Sequence, residues 1–241
     1  MKIFTLCQPL GFMQTTIHHL HLSSCPSTQD LLIKNLKESN TKDFSPHLIS
    51  TDTQTQGHGR KEKLWLHTPG SLAMSFTYPV RENITLTSLE IAVIVCQFFK
   101  SLNIDIFLKW PNDFIDHSFL KLGGIILKYT QNYFIIGLGL NLKKAPVITD
   151  SDISAGALEV KNSNLQTLSN NIYSFLLRSK LSDEQIVSAW NELCLHINKE
   201  VSITDDKKFS GLFLGVDDYG RALLEKNGQI TKATNGSLRL I

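Results

Sequence analysis

Residues 109–113 read Lys109-Trp110-Pro111-Asn112-Asp113, and this stretch decides how the middle of the chain folds. The apolar run 104–110 before the proline predicts a short strand, and Pro111 removes the backbone donor that would continue it. Asn112 and Asp113 are typical turn residues. Lys109 is therefore predicted at the end of a strand, where ligands gather in α/β architectures. A plain turn whose lysine contacts only water is the alternative interpretation.

The segment 53–65, TQTQGHGRKEKLW, predicts a loop that binds an anion. Gly57 and Gly59 permit positive φ and expose backbone N–H groups, and three cations surround them, namely Arg60, Lys61 and Lys63. Such groups suit a phosphate or a carboxylate. The segment has neither the Gly-Lys-Ser/Thr triplet of a P-loop nor the dinucleotide-binding fingerprint. A solvated basic turn remains the alternative.

Two later segments, KLGGIIL at 121–127 and IIGLGLN at 135–141, predict strands that each carry two glycines. Glycine weakens a strand because it offers no side chain to pack. It often marks a place where a ligand presses on the backbone, and a β-bulge is the other reading.

Taken together, these motifs resemble the biotin–protein ligases, adenylating enzymes that attach biotin to a lysine of a carboxylase carrier protein. The resemblance covers the order and spacing of Ser27-Thr28-Gln29, Gln54, the loop at 57–65 and the three later motifs, and it extends from about His18 into the C-terminal tail. Only some two dozen residues precede Ser27. We therefore expect the monofunctional type, which lacks the DNA-binding domain and does not repress transcription.

The resemblance implies an α+β fold, in which a mixed sheet with flanking helices forms a catalytic domain like that of class II aminoacyl-tRNA synthetases. Short strands broken by turn residues begin near Asn198 and predict a small β-barrel-like domain. The resemblance implies that this domain is an SH3-like β-barrel. The expected division is an N-terminal extension at 1–16, a catalytic biotin- and ATP-binding domain at 17–197, and a C-terminal β domain at 198–241.

The implied activity is an ATP-dependent ligase that activates biotin as biotinyl-AMP. It would transfer the biotinyl group to a specific lysine of the biotin carboxyl carrier protein of acetyl-CoA carboxylase. ATP and Mg²⁺ are the implied cofactors, and the ligands of the metal are unknown. A lipoate–protein ligase or related acyltransferase is one alternative, although lipoate lacks the ureido ring that polar groups near Ser27 would bind. A non-catalytic biotin-binding regulator is the other.

The resemblance also implies roles for individual residues. Arg60 and Lys109 are the expected catalytic residues. Biotin is expected to contact Ser27, Thr28, Gln29, Gln54, His58, Gly59, Arg60, Lys109, Gly123 and Gly124. ATP is expected to contact Gly57, Gly59, Arg60, Lys63, Asn112, Lys121 and Asn141.

Three further expectations concern the same site. The irregular stretch 143–164 is expected to form a lid over adenine. No general base for the transfer step is evident, and Asp113 is the nearest candidate by sequence. His58 stands where the family often has arginine, and Lys61-Glu62-Lys63 replaces Arg-Gly-Arg, which predicts weaker retention of the adenylate.

Composition predicts a globular protein with an ample core, since 42% of the residues are hydrophobic and 19% are charged. The net charge of +2 gives little support for nucleic-acid binding through bulk electrostatics. No apolar run approaches the roughly 20 residues of a membrane helix, and the first dozen residues do not fit a signal peptide. Met1 or Met13 could be the true start. A monomer and a homodimer both fit the sequence.

The four cysteines, Cys7, Cys25, Cys96 and Cys194, lack metal-ligand spacing and suggest a reducing cytoplasm. Ser27 predicts the N-cap of a helix, and Thr87 with Glu90 predicts a capping box that opens an apolar helix through Phe99. Two more helices are expected at 165–179 and 183–196, with Trp190 in the core.

Overall fold

A computed structural model of the 241-residue chain describes residues 16–40, 42–130, 132–147, 154–161, 164–205 and 208–241. Residues 1–15 of the expected N-terminal extension, with Cys7 and both candidate start methionines, lie outside the described residues. The helices are α1 (Thr28–Glu38), α2 (Thr87–Ser101), α3 (Leu165–Arg178) and α4 (Asp183–Leu193). The strands are β1 (His18–Leu22), β2 (His47–Thr51), β3 (Gly57–His58), β4 (Leu64–Trp65), β5 (Leu72–Pro79), β6 (Phe107–Lys109), β7 (Asp113–Ile115), β8 (Lys121–Tyr129), β9 (Tyr133–Leu140), β10 (Glu200–Thr204), β11 (Lys208–Val216), β12 (Ala222–Lys226), β13 (Gln229–Ala233) and β14 (Ser237–Leu240).

Seven strands form the main sheet in the order β1-β2-β5-β9-β8-β7-β6. β1 runs parallel to β2, and the remaining neighbours are antiparallel, so the predicted mixed sheet is confirmed. The segment around Pro111 is the turn of the hairpin β6–β7, in which Lys109 and Asp113 are register partners. β6 is shorter than the strand predicted over 104–110, but Lys109 does end it.

One face of this sheet carries the main hydrophobic core. Ile125, Leu138 and Leu140 point to this face, and they pack with the buried side chains of α2 and α3. The stretch Ile84–Ser101 is long and apolar enough to cross a membrane by length and composition alone, but 67% of it is buried inside the protein. We therefore describe α2 as the core helix of this face.

The opposite face is only partly covered, by α1. Leu32 and Leu36 of α1 pack with Ile49 and Ile135 in a second, smaller cluster. Beyond that cluster the face is lined by small residues, because Ser75 is the register partner of Gly137, and Gly139 is the partner of both Ala73 and Gly124. Partners in an antiparallel pair share a face, so these residues, Ala73, Ser75, Gly124, Gly137 and Gly139, form one continuous small-residue strip.

The C-terminal strands form a five-stranded antiparallel sheet in the order β13-β12-β11-β10-β14, as expected for a small β domain. Its contacts with the first part of the chain are polar as well as apolar. Trp110 donates its indole N–H to the carbonyl oxygen of Gly220 at 3.1 Å. The amide of Asn191 at the end of α4 bonds both backbone groups of Val216, at 2.8 and 3.2 Å. The bond from Trp110 thus connects the hairpin turn at Pro111 to the loop between β11 and β12 of the C-terminal sheet.

Candidate active site

Lys109 lies in a group of cations at the end of the main sheet. Burial lowers the pKa of its ammonium group, the nearby charges of Lys121 and Arg239 lower it further, and Asp113 opposes these effects. A carboxylate oxygen of Asp113 lies 2.6 Å from the ammonium nitrogen of Lys121, so the negative charge of Asp113 is shared between Lys121 and Lys109. We call Lys109, Asp113, Lys121 and Arg239 the sheet-end cluster. Its excess of positive charge suits an anionic ligand.

Asn112 connects this cluster to the loop at 57–63, which we call the basic loop. The backbone carbonyl of Asn112 accepts from the N–H of Ile125 at 3.0 Å, and its side-chain amide donates to the carbonyl of the same residue. The amide oxygen that remains accepts from the guanidinium of Arg60 at 3.3 Å. Arg60 is therefore brought to the same sheet end as Lys109, the other residue for which the resemblance implies a catalytic role.

The basic loop is a small hairpin with a tight turn at its tip. β3 pairs with β4, and the residues Arg60–Glu62 between them form a short 3-10 segment that Lys61 interrupts with left-handed backbone angles. The base of the hairpin lies on the small-residue strip, because a Cβ at Gly139 would meet the indole of Trp65 at 2.8 Å. The ring N–H of Trp65 is buried and has no partner among the described residues.

Three side chains of the basic loop, those of His58, Arg60 and Lys61, contact three different parts of the protein. His58 Nε2 lies 2.9 Å from a carboxylate oxygen of Asp30 in the first turn of α1. Arg60 donates to the carbonyl oxygen of Gly236 at 3.1 Å as well as to Asn112. Lys61 is 2.6 Å from a carboxylate oxygen of Asp205. For Lys63, exposed at the end of the turn, the structure describes backbone bonds only, to Gly59 and Arg60.

The polar residues expected to bind the ureido ring form a connected network at the start of α1. The hydroxyl of Ser27 accepts from the N–H of Asp30 and caps the helix, as predicted. Gln54 accepts from both the N–H and the hydroxyl of Thr28, at 2.9 and 3.1 Å, and the hydroxyl of Thr28 also bonds Ser75 at 2.8 Å. This network lies directly beside the small-residue strip, to which Ser75 belongs.

Gln29 reaches the same strip from the next position of α1. Its amide donates to the carbonyl oxygen of Ile135 at 3.2 Å and lies 3.5 Å from where a Cβ of Gly137 would be. The structure therefore brings together the strip, the network and the basic loop along one face of the sheet.

The two glycines of β8 differ in what they face. Gly124 belongs to the small-residue strip, and a Cβ there would meet the carbonyl of Asn112 and the carboxylate of Asp113, each at 3.2 Å. Gly123 points to the core face, where a Cβ would lie 2.1 Å from the carbonyl oxygen of Gly139. The sheet itself requires a glycine at position 123, whatever binds at the other face.

Asn141 is buried at the end of β9 and holds the irregular stretch that follows. Its amide donates to the carbonyl of Gly156 at 3.0 Å, while its amide oxygen has no partner among the described residues. Leu142 and Leu158 pair backbone to backbone nearby, so residues 154–161 run along the ends of β8 and β9. Residues 148–153 and 162–163 of the expected lid lie outside the described residues.

Sequence reasoning missed Arg239 and His196. Arg239 comes near Lys109 only because the C-terminal sheet docks there. His196 is 2% exposed, its ring packs edge-on against Phe119 at 5.1 Å, and its Nδ1 has no partner among the described residues. Burial, with Lys109 and Lys199, lowers the pKa of His196 to about 4. No motif marks either residue. Among the described residues, no group of three or more His, Cys, Asp or Glu side chains could hold a metal ion.

Two family models match this chain. One, described as the biotin/lipoate A/B protein ligase family, matches residues 22–141, and the other, described as the biotin protein ligase C-terminal domain, matches residues 196–237. The first defines a class of acyl ligases that includes lipoate as well as biotin enzymes. The second narrows the class, and the chain belongs to the biotin protein ligase family.

Individual relatives agree with this assignment. The bifunctional ligase/repressor BirA of Escherichia coli is 25% identical over 234 residues, which are 89% of this chain and 71% of that protein. The structure of a biotin protein ligase from Aquifex aeolicus, in complex with biotin and ATP, matches with a TM-score of 0.77 at 22% identity and covers 93% of this chain and 98% of that one. A biotin acetyl coenzyme A carboxylase synthetase from Helicobacter pylori, with bound biotinylated ATP, matches with a TM-score of 0.68 at 20% identity, over 90% and 100% of the two chains. These likenesses show that the fold is shared.

Proposed function

We propose that this protein is an ATP-dependent ligase that makes biotinyl-AMP and transfers the biotinyl group to a lysine of a biotin carboxyl carrier protein. One observation carries the proposal: the cations of the sheet-end cluster and Arg60 of the basic loop meet beside the small-residue strip. The strip and its polar network give room and neutral hydrogen-bonding groups for a bicyclic ring. The cations give a place for its carboxylate and for phosphate.

In the first step, a carboxylate oxygen of biotin attacks the α-phosphorus of ATP, and the bond to the β-phosphate oxygen breaks to release pyrophosphate. Two anionic groups must approach each other, and their repulsion has to be cancelled. Arg60 can bridge the carboxylate and the phosphate through its planar guanidinium. Lys109, held at a strand end, supplies a fixed positive charge where negative charge gathers on phosphorus.

The residual positive charge of the sheet-end cluster explains why an anion is favoured there. The lowered pKa of Lys109 means that its ammonium form lacks full compensation in the protein alone. A bound phosphate would supply the negative charge that compensates the Lys109 ammonium group. Mg²⁺ is proposed to arrive with ATP, coordinated mainly by phosphate oxygens and water.

In the second step, the amine of the carrier lysine attacks the acyl carbon of biotinyl-AMP, and AMP leaves. The amine must first lose a proton. Asp113 was the nearest candidate base by sequence, and its carboxylate is held by Lys121 at 2.6 Å. We therefore assign it the positioning of Lys121 and leave the base unassigned.

The other expectations from sequence stay proposals with this function. These are the assigned biotin and ATP contacts, the boundary near residue 198, the cytoplasmic location, the absence of DNA binding, and the lid at 143–164. No feature of the described residues favours a lipoate–protein ligase or a non-catalytic regulator over the biotin ligase.

The test is biotin-dependent exchange of labelled pyrophosphate into ATP, run beside lipoate and octanoate. Exchange with biotin alone is the expected result. Exchange with lipoate or octanoate but not with biotin would replace the proposal by the acyltransferase alternative, and biotin binding without exchange would favour the regulator. Transfer is then measured by incubating the protein with an apo carrier domain and detecting biotin on its lysine by mass spectrometry.

A further inference from the structure

We propose that the C-terminal β domain holds the basic loop closed over the site, and that Asp205 is a positioning residue that does so through Lys61. The inference rests on the proposed function for its effect on biotinyl-AMP, but the contact itself is independent of the activity. Two contacts are involved, Lys61–Asp205 and Arg60–Gly236, and together we call them the loop latch.

The first contact joins the tip of the basic loop to the end of β10. Lys61 Nζ lies 2.6 Å from Oδ1 of Asp205, and the Asp205 side chain is only 29% exposed. Lys61 adopts the left-handed conformation, with φ 53° and ψ 41°. That conformation is unfavourable for a lysine, and the ion pair with Asp205 offsets part of its cost.

The second contact joins the neighbouring residue to the neighbouring strand. Arg60 donates to the carbonyl oxygen of Gly236 at 3.1 Å. Gly236 has a φ of 136°, and a Cβ there would lie 2.5 Å from the side chain of Ile203, so its carbonyl is fixed against β10.

The two acceptors are adjacent because Thr204 and Ser237 are register partners in the C-terminal sheet. Asp205 follows Thr204, and Gly236 precedes Ser237. One corner of that sheet therefore presents a carboxylate and a carbonyl oxygen to two consecutive cations of the loop. The same Arg60 contacts Asn112 at the sheet end, which means that the latched loop places this guanidinium at the site.

The consequence is that opening the loop requires breaking contacts with another domain. A loop that must open for biotinyl-AMP to leave would release it more slowly when latched. The latch therefore offsets part of the weaker retention expected from His58 and Glu62.

The experiment compares Asp205→Asn with Glu200→Gln. Each substitution neutralises one carboxylate, at the first residue of β10 for Glu200 and directly after its last residue for Asp205. Glu200 is the control because it is exposed and its side chain has no partner among the described residues. The ligand-free proteins are digested briefly with trypsin, and cleavage after Arg60, Lys61 and Lys63 is quantified by mass spectrometry. Dissociation of added labelled biotinyl-AMP is measured on the same proteins.

Asp205→Asn should raise both the cleavage rate in the loop and the dissociation rate about threefold, the effect of losing one partly exposed ion pair. Glu200→Gln should behave as the natural protein. The charge swap Lys61→Asp with Asp205→Lys should restore slow dissociation relative to Lys61→Asp alone, because aspartate tolerates the left-handed conformation.

Unchanged loop cleavage in Asp205→Asn would overturn the latch, and unchanged dissociation with faster cleavage would overturn its role in positioning. If the natural protein does not bind biotinyl-AMP at all, the proposed function fails. Loop cleavage still decides the latch in that case.

Discussion

The sheet-end cluster and the basic loop both bring cations to the site, but they hold them in different ways. Lys109 is fixed by the register of β6 with β7 and by burial, whereas Lys61, 64% exposed, is held by a single ion pair. The first arrangement can change only if the sheet changes. The second can open and close through side-chain contacts. This difference suggests that the sheet end serves the chemical step and the loop serves retention of the intermediate.

Replacing the fixed cation should give the largest effect. We expect Lys109→Ala to slow formation of biotinyl-AMP about 10²-fold or more, the range for removal of one preorganised charge stabiliser. Arg60→Ala should slow this step less, about tenfold, and should accelerate loss of the intermediate. Single-turnover formation and dissociation, measured separately, distinguish the two. Equal effects of both variants on both steps would remove the distinction between the regions, and an unchanged melting temperature serves as the folding control.

Glycines of the two regions should differ in how they tolerate a methyl group. Gly123→Ala places Cβ 2.1 Å from a carbonyl of β9, so the backbone must shift, and we expect a loss of about 2–3 kcal/mol in the free energy of unfolding. Gly59→Ala, with φ −106° and its nearest contact at 3.3 Å, should cost less than about 1 kcal/mol. Urea denaturation compares the midpoints. A Gly123→Ala protein as stable as Gly59→Ala would show that the sheet end is adjustable too.

The effect of pH should be the smallest of the three. Because the pKa of Lys109 is lowered from 10.5, its positive charge is lost as pH rises through a value below that of an ordinary lysine. The rate of adenylation at low substrate should therefore fall on the alkaline side at a pH below 10.5. Arginine keeps its charge at high pH, so in Lys109→Arg the alkaline fall in rate should shift to higher pH. If the alkaline fall occurs at the same pH in Lys109→Arg, it is caused by the titration of another group.

Much of this arrangement could be predicted from local sequence. Pro111 ends a strand for a reason contained in its own ring, and Lys109 is accordingly found at the strand end. The two glycine-bearing strands were predicted separately, and they are neighbours, with Gly124 opposite Gly139. These features depend on residues close in sequence or on the period of a strand.

Other features depend on distant partners and could not be predicted. The prediction of a capping box at Thr87 was wrong, because a 3-10 turn over Ile84–Leu86 runs directly into α2. The hydroxyl of Thr87 donates to the backbone carbonyl of Ile84 instead of capping the helix. Glu90 instead pairs with Arg81 at 3.1 Å. In the same way, the loop latch and the approach of Arg239 to Lys109 exist only after the C-terminal sheet has docked.

The docking of that sheet leaves a particular mark on how the sequence can vary. Trp110 and Arg60 both donate to backbone carbonyls, those of Gly220 and Gly236, and both glycines have positive φ, 72° and 136°. A carbonyl acceptor is present whatever side chain a residue carries, so side-chain chemistry on the acceptor side is not under selection for these two bonds. The backbone conformation at the two glycines is under selection instead. Over evolutionary time the surface of the C-terminal domain can therefore vary widely while these two bonds persist, provided that the two glycines remain.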